Sequence, residues 1–203
     1  MWDLVKVTAQ YSHAVLLSIL PFVSDFAQRL DLPIGQVTTN QVQEFKCDPR
    51  MGQTGGALTL SNGFQFTFLD GRICVYRSPQ SYFSLQDPGQ IPRFYGRVKL
   101  RETQALEIAL GAIKKLGYED KVFNADKPSL VTKPERIGTN WIPRFRFRWP
   151  SPNWHGKKEA GSIIPTLLDM EINASNGRIE MVSISSRETR RPSPKVAVVP
   201  PLL

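Results

Sequence analysis

The sequence predicts an α+β protein of two similar lobes, each a helix packed on an antiparallel sheet, with a leading N-terminal helix. Three observations carry this. ALTLSNGFQFTFLDGRICVYRSP reads as a three-stranded meander, about residues 57 to 77. In it Phe64, Phe66 and Phe68 alternate with Gln65 and Thr67, and Asn62-Gly63 and Asp70-Gly71 are hairpin turns. Residues 102 to 116, ETQALEIALGAIKKL, carry a helical apolar stripe of Leu106, Ala109, Leu110, Ile113 and Leu116, closed by Gly117. A second group of alternating strands then follows, and both groups end on a turn-Gly-Arg-Ile sequence.

The leading helix rests on Leu16, Ile19, Val23, Phe26 and Leu30, whose spacings of 3, 4, 3 and 4 place them on one stripe. The apolar run Ala14 to Val23 has ten residues, where about 20 are needed to span a bilayer. Lys6 before it fits a secretory leader, but Ser24-Asp25-Phe26-Ala27-Gln28 supplies no small-x-small cleavage site. A packed amphipathic helix is the expectation, kinked or restarted at Pro21. Leu32-Pro33-Ile34-Gly35 ends it, and Thr39 to Phe45 reads as a brief second helix capped by Thr39 or Asn40. A loop through Tyr82, Phe83, Asp87, Pro88 and Pro92 separates the halves.

In the second half, IPRFRFRW sets Phe145, Phe147 and Trp149 against Arg144, Arg146 and Arg148. TLLDMEIN sets Leu168, Met170 and Ile172 against Asp169, Glu171 and Asn173. A further strand runs from Arg178 to Ser185, with an apolar phase shift between Met181 and Val182 that signals a bulge or two-sided burial. A short strand is also expected at Leu130-Val131-Thr132. From Arg187 the chain turns Pro-rich and basic, which predicts an extended tail.

Asp70-Gly71-Arg72-Ile73 and Asn176-Gly177-Arg178-Ile179 end the two strand groups alike, which suggests a duplicated αβ unit. The predicted organisation is an N-terminal helix over 1–35, a first unit over 36–98, a second over 99–186 and a tail over 187–203. The second unit resembles the PepSY domain family on the residues Ala105, Ala109, Asn173, Gly177 and Ile179. That family places an Ala-rich helix before its strands and a motif near Asp-x-x-x-Gly-x-Ile at the final hairpin. Asn173 stands here where the family often has Asp, and Arg101 where a capping Ser or Thr is expected; residues 39–77 carry an echo. The resemblance implies a non-catalytic module that binds or restrains proteins, found in bacteria and outside the cytoplasm.

Composition narrows the chemistry. At 203 residues, with 41% hydrophobic and 22% charged, the chain is neither wholly disordered nor membrane-embedded. Two His and two Cys argue against a multi-histidine metal centre or a Cys-rich zinc module, and no cofactor is implied. Cys47 and Cys74 either form a disulfide or stay as small buried hydrophobes. His13 and His155 are the natural acid–base candidates, yet neither accompanies a nucleophile motif, so no enzyme class is supported. Asp169 and Glu171 share one strand face, as alternating acids commonly do.

The net charge of +8 favours acidic partners. Residues 133 to 158 hold seven bases, among them Lys133, Arg136, Lys157 and Lys158, against the one acid Glu135. Period-2 spacing puts Arg144, Arg146 and Arg148 on one side of their strand, opposite the aromatic rings. Two readings follow. The stripe is a solvated face paired with Asp169 and Glu171 on the neighbouring strand. Or, with Lys157 and Lys158, it receives an acidic protein or peptide partner. Nucleic-acid binding through the stripe is the alternative of a different class, though no recognition motif accompanies it, and an unrecognised hydrolase is a second.

Overall fold

A computed structural model describes residues 2–47, 55–69, 71–81, 97–119, 122, 124–137, 140–150 and 166–184. The fold is mixed α+β, with two helices on one side of an eight-stranded antiparallel sheet. Helix α1 covers Trp2–Arg29, and a single 3₁₀ turn at Thr39–Gln41 leads into β1, Val42–Cys47. Strands β2, Gly56–Leu60, β3, Gln65–Leu69, and β4, Arg72–Arg77, complete the first half. Helix α2, Glu102–Leu116, opens the second half, followed by β5, Leu130–Thr132. Strands β6, Glu135–Ile137, and β7, Asn140–Ile142, make a separate small hairpin. Then come β8, Arg144–Pro150, β9, Thr166–Asn173, and β10, Ile179–Ile184.

The strand order is β1-β2-β3-β4-β10-β9-β8-β5. Each half contributes four strands in chain order, and the halves meet where β4 pairs with β10. The strands therefore form one continuous sheet rather than two separate ones.

Helix α1 runs through Pro21 without ending. Ser24 Oγ, one turn on, donates to the Leu20 carbonyl at 3.0 Å and accepts the Val37 amide at 2.9 Å, tying the helix to the chain that leaves it. Ile19, Val23, Phe26 and Leu30 are buried as their spacing requires, and Leu16 is half-buried. Phe26 meets Phe66 edge-on at 6.3 Å and Tyr76 at 5.8 Å. The leading helix is thus the cover of the first half's strands, not an element standing apart. No helix among the described residues is long and apolar enough to cross a membrane.

The predicted second helix at 39–45 is instead the 3₁₀ turn and β1. Its apolar residues Val42 and Phe45 sit three apart because β1 bulges against β2 between Val42 and Glu44. That spacing mimics a helix. In β3, Phe66 and Phe68 are buried, whereas Phe64 lies one residue before the strand and is only half-buried. Phe45 stacks on Phe68 at 5.7 Å above Gly56. A Cβ on Gly56 would lie 2.2 Å from the Lys46 carbonyl oxygen and 2.8 Å from the Phe68 ring. Gly56→Ala is therefore expected to cost roughly 1–3 kcal/mol, read from the urea midpoint, because backbone must move to admit one methyl.

Helix α2 has the predicted limits. Gln104 Oε1 accepts the Arg101 amide at 2.9 Å, which caps the helix without a Ser or Thr. Gly117 ends it at φ +69, where glycine is favoured. Its buried face is Ala105, Ala109, Ala112, Ile113 and Leu116, while Leu106 and Leu110 sit half-buried on the flanks. The predicted face is rotated toward the small residues, since alanines let the helix lie close on the sheet. Below it Phe145, Phe147, Trp149, Leu168, Met170 and Ile172 are all buried. Trp149 Nε1 donates to the Ala125 carbonyl at 2.7 Å, so the indole carries no unsatisfied donor.

Cys47 and Cys74 are both half-buried and are not bonded to each other. Their strands β1 and β4 are three places apart in the sheet, ~14 Å at ordinary strand spacing, well beyond disulfide reach. The loop through Tyr82 and Pro92, together with His155, Lys157, Lys158 and the tail over 187–203, lies outside the described residues.

Candidate functional site

The arginines of β8 do stand on the face opposite the aromatic rings. Arg148 is level with Asp169 and bonds it directly, while Arg146, level with Glu171, and Arg144, level with Asn173, cross the ladder diagonally. Arg146 forks onto Asp169, with Nε 2.7 Å from Oδ1 and Nη2 bonded to Oδ2. Arg148 Nε reaches the same Oδ2 at 3.1 Å, and Arg144 Nη1 lies 3.6 Å from Glu171 Oε2. Pairing with Asp169 and Glu171 follows the alternation. Solvation does not. The side-chain exposures are 12%, 17% and 34% for Arg144, Arg146 and Arg148, and both acids are buried. Lys133 makes an exposed pair with Glu102 at 2.8 Å. His13 is exposed on α1, and no cluster of three His, Cys, Asp or Glu fit for a metal occurs among the described residues.

A different set of residues gathers at the seam where β4 meets β10. On the helix side of that seam is a cavity of about 640 Å³. The turn that follows α1 (Leu30, Asp31, Leu32, Pro33) forms one wall, and Ile108, Gly111, Ala112 and Lys115 of α2 form another. Phe64, Tyr76, Ser78 and the turn from Asn176 to Glu180 complete it. A Cβ built on Gly111 would meet nothing within 4 Å, so the helix surface is open there. Lys115 is engaged by Asp31 across the rim.

The polar end of the cavity is built by the last hairpin. Asn173 Oδ1 accepts the Ser175 amide at 2.9 Å, and the Gly177 amide donates to the Asn173 carbonyl at 2.8 Å. Gly177 takes φ +76 to close this turn. Asn173 Nδ2 then donates to Glu180 Oε1 at 3.3 Å, and Ser78 Oγ bonds Oε2. Ser78 in turn accepts the Gln80 amide at 3.0 Å. Glu180 occupies the bulge between Ile179 and Met181 in β10 and is 3% exposed. Among the described residues no Lys or Arg lies within 4 Å of its carboxylate. Tyr76, whose hydroxyl donates to the Ile179 carbonyl at 3.2 Å, stands beside it.

Burial pushes the Glu180 carboxyl above its ordinary 4.5, against the opposing pull of the Ser78 and Asn173 hydrogen bonds and the charge of Arg178. Tyr76 is pushed upward too, first by burial and then by the Glu180 charge. The folded state therefore holds the Glu180 proton to higher pH than the unfolded chain. Stability is fully present below the unfolded value and is lost as pH rises through the folded one. Glu180→Gln is expected to flatten that decline in unfolding measurements between pH 4 and 8. A slope equal to that of the unmutated protein would place the titration elsewhere.

No family model and no curated protein matches the chain. Among solved structures it is similar to the Bacillus megaterium YpeB C-terminal domain, at 11% identity and a TM-score of 0.40. The match covers 79% of this chain and 59% of that one, so the chain spans about three fifths of the structure it matches. At that similarity no residue role transfers. The cavity and its carboxylate thus rest on this chain's geometry alone.

The sequence pointed to the arginine stripe and passed over Glu180. The apolar phase shift read at Met181 and Val182 lay close by: those two residues are in regular register and both buried, and the bulge falls just before them, between Ile179 and Met181.

Proposed function

We propose that the chain is a non-catalytic binding module, made of two PepSY-like units, that holds a protein or peptide partner in the seam cavity. One observation carries the reading: a ligand-sized cavity whose walls come from the turn after α1, from α2 and from both halves of the sheet. The size fits a short peptide segment or two adjoining side chains. Two units are supported by more than the repeated Gly-Arg-Ile. Each half is a helix followed by four strands in chain order, and the register of each final strand shifts at the same point. The residue after Ile73 is the bulged Cys74, and the residue after Ile179 is the bulged Glu180. The small β6–β7 hairpin is then an insertion in the second unit.

The arginine stripe, with Lys157 and Lys158, is the site that sequence alone favours. Its three arginines already spend their charge on Asp169 and Glu171, which moves the proposed site to the seam.

The test is to pan a random-peptide library on the immobilised protein and measure recovered peptides against Gly111→Phe. The new ring projects from an exposed helical position into the cavity, so folding and thermal midpoint should hold. Loss of peptide binding in the folded variant supports the reading. Undiminished binding overturns it.

A further inference from the structure

We infer that the seam cavity selects a cationic group carried on an apolar stem, such as a lysine side chain of the bound segment. The inference rests on the proposed binding role and adds the chemistry of the occupant. Glu180 is the deciding residue. Its carboxylate is nearly sealed from solvent, yet among the described residues only the neutral Ser78 and Asn173 bond it. A buried carboxylate ordinarily sits against a cation, because hydrogen bonds from neutral groups offset only part of its lost hydration. The nearby positive charges do not fill that role. Lys115 is held by Asp31 at the rim, and Arg178 is exposed and beyond ion-pair distance. The approach to Glu180 is lined by Leu30, Leu32, Phe64, Ile108 and the Tyr76 ring, which suit methylenes rather than a second charge. An ammonium entering along that wall gains a charge-assisted contact with Glu180 while its stem leaves water. Binding draws the proton off Glu180, so affinity should fall as pH drops below its titration.

Three probes of equal length separate the possibilities: hexylammonium, hexanol and hexanoate, titrated into the full chain and followed by amide NMR shifts. Hexylammonium should bind about tenfold or more tightly than hexanol, with shifts at Gly177 and Glu180. Glu180→Gln should erase the preference for the ammonium while leaving hexanol binding in place. Gly111→Phe should abolish binding of both. Hexanoate binding as tightly as hexylammonium, or an ammonium preference that survives in Glu180→Gln, overturns the inference. Peptides recovered at the cavity without any basic residue overturn it too, while leaving the binding role intact. If no probe binds and no peptide is recovered, the binding role falls with it.

Discussion

Phe147→Ala is expected to cost about 3–5 kcal/mol of stability, the range for deleting a large buried ring. Phe147 is 0% exposed and lies at the centre of β8. Phe145 stacks on one side at 6.2 Å and Trp149 leans on the other at 6.1 Å. Met170 and Val131 flank it across the two neighbouring strands, and α2 closes the layer above. Neighbours packed this closely relax only in part when a large ring is removed, so a cavity should remain. Urea unfolding at unchanged m-value measures the loss. A cost below about 1 kcal/mol would mean that the ring's surroundings collapse freely, contrary to this packing.

Breaking the charged ladder on the opposite face should cost nearly as much. Arg146→Met leaves Asp169, a buried acid, with Arg148 as its remaining partner among those described, and about 3 kcal/mol should be lost. Replacing both partners, Arg146→Met with Asp169→Leu, should cost less than that single change. Arg148 then turns its partly exposed guanidinium to water, and no buried charge is stranded. A double-mutant cycle in unfolding free energy decides it. If the single change costs under about 0.5 kcal/mol, the ladder behaves as an exposed pair despite its burial.

How much of this was legible varies by element, for physical reasons. Strands β2, β3, β8 and β9 show strict alternation, because each has one face under a helix, while β4 and β10 break it at Cys74 and Glu180. Edge strand β1 has no such constraint on its far side, and its bulge turned a period of two into an apparent helical spacing. Strands β6 and β7, at three residues each, are too short to show any period. Helix α2 was located to the residue by Gly117, yet its contact face was misplaced. Hydrophobic patterning weights leucine above alanine, and the sheet selected alanine for close approach. Arginines at period 2 announced themselves as a site, and in the fold they pair with Asp169 and Glu171 of the neighbouring strand. The cavity residue was hidden, since a single glutamate in a mixed strand looks like any solvated acid until its bulge is seen.

The β4–β10 seam also bears on the order of assembly. The turns that join β2 to β3, β3 to β4 and β9 to β10 are short, so those pairings close small loops and form at little entropic cost. The seam instead joins Val75 to Ser183, remote in the chain, and is expected to close after the short-range pairings. It is also short, with three registered pairs. Opening there without global unfolding would separate the cavity's walls, so an occupant that bridges them binds only the closed form. Its binding free energy adds to the cost of any opening that parts those walls, global unfolding included, and leaves local openings within β2 and β3 unaffected. Amide exchange at Ser78, whose N–H is bonded to the Glu180 carbonyl across the seam, would then slow on binding while that of β2 and β3 stayed constant. The protein would report its occupancy as a change in the rigidity of one line through its middle.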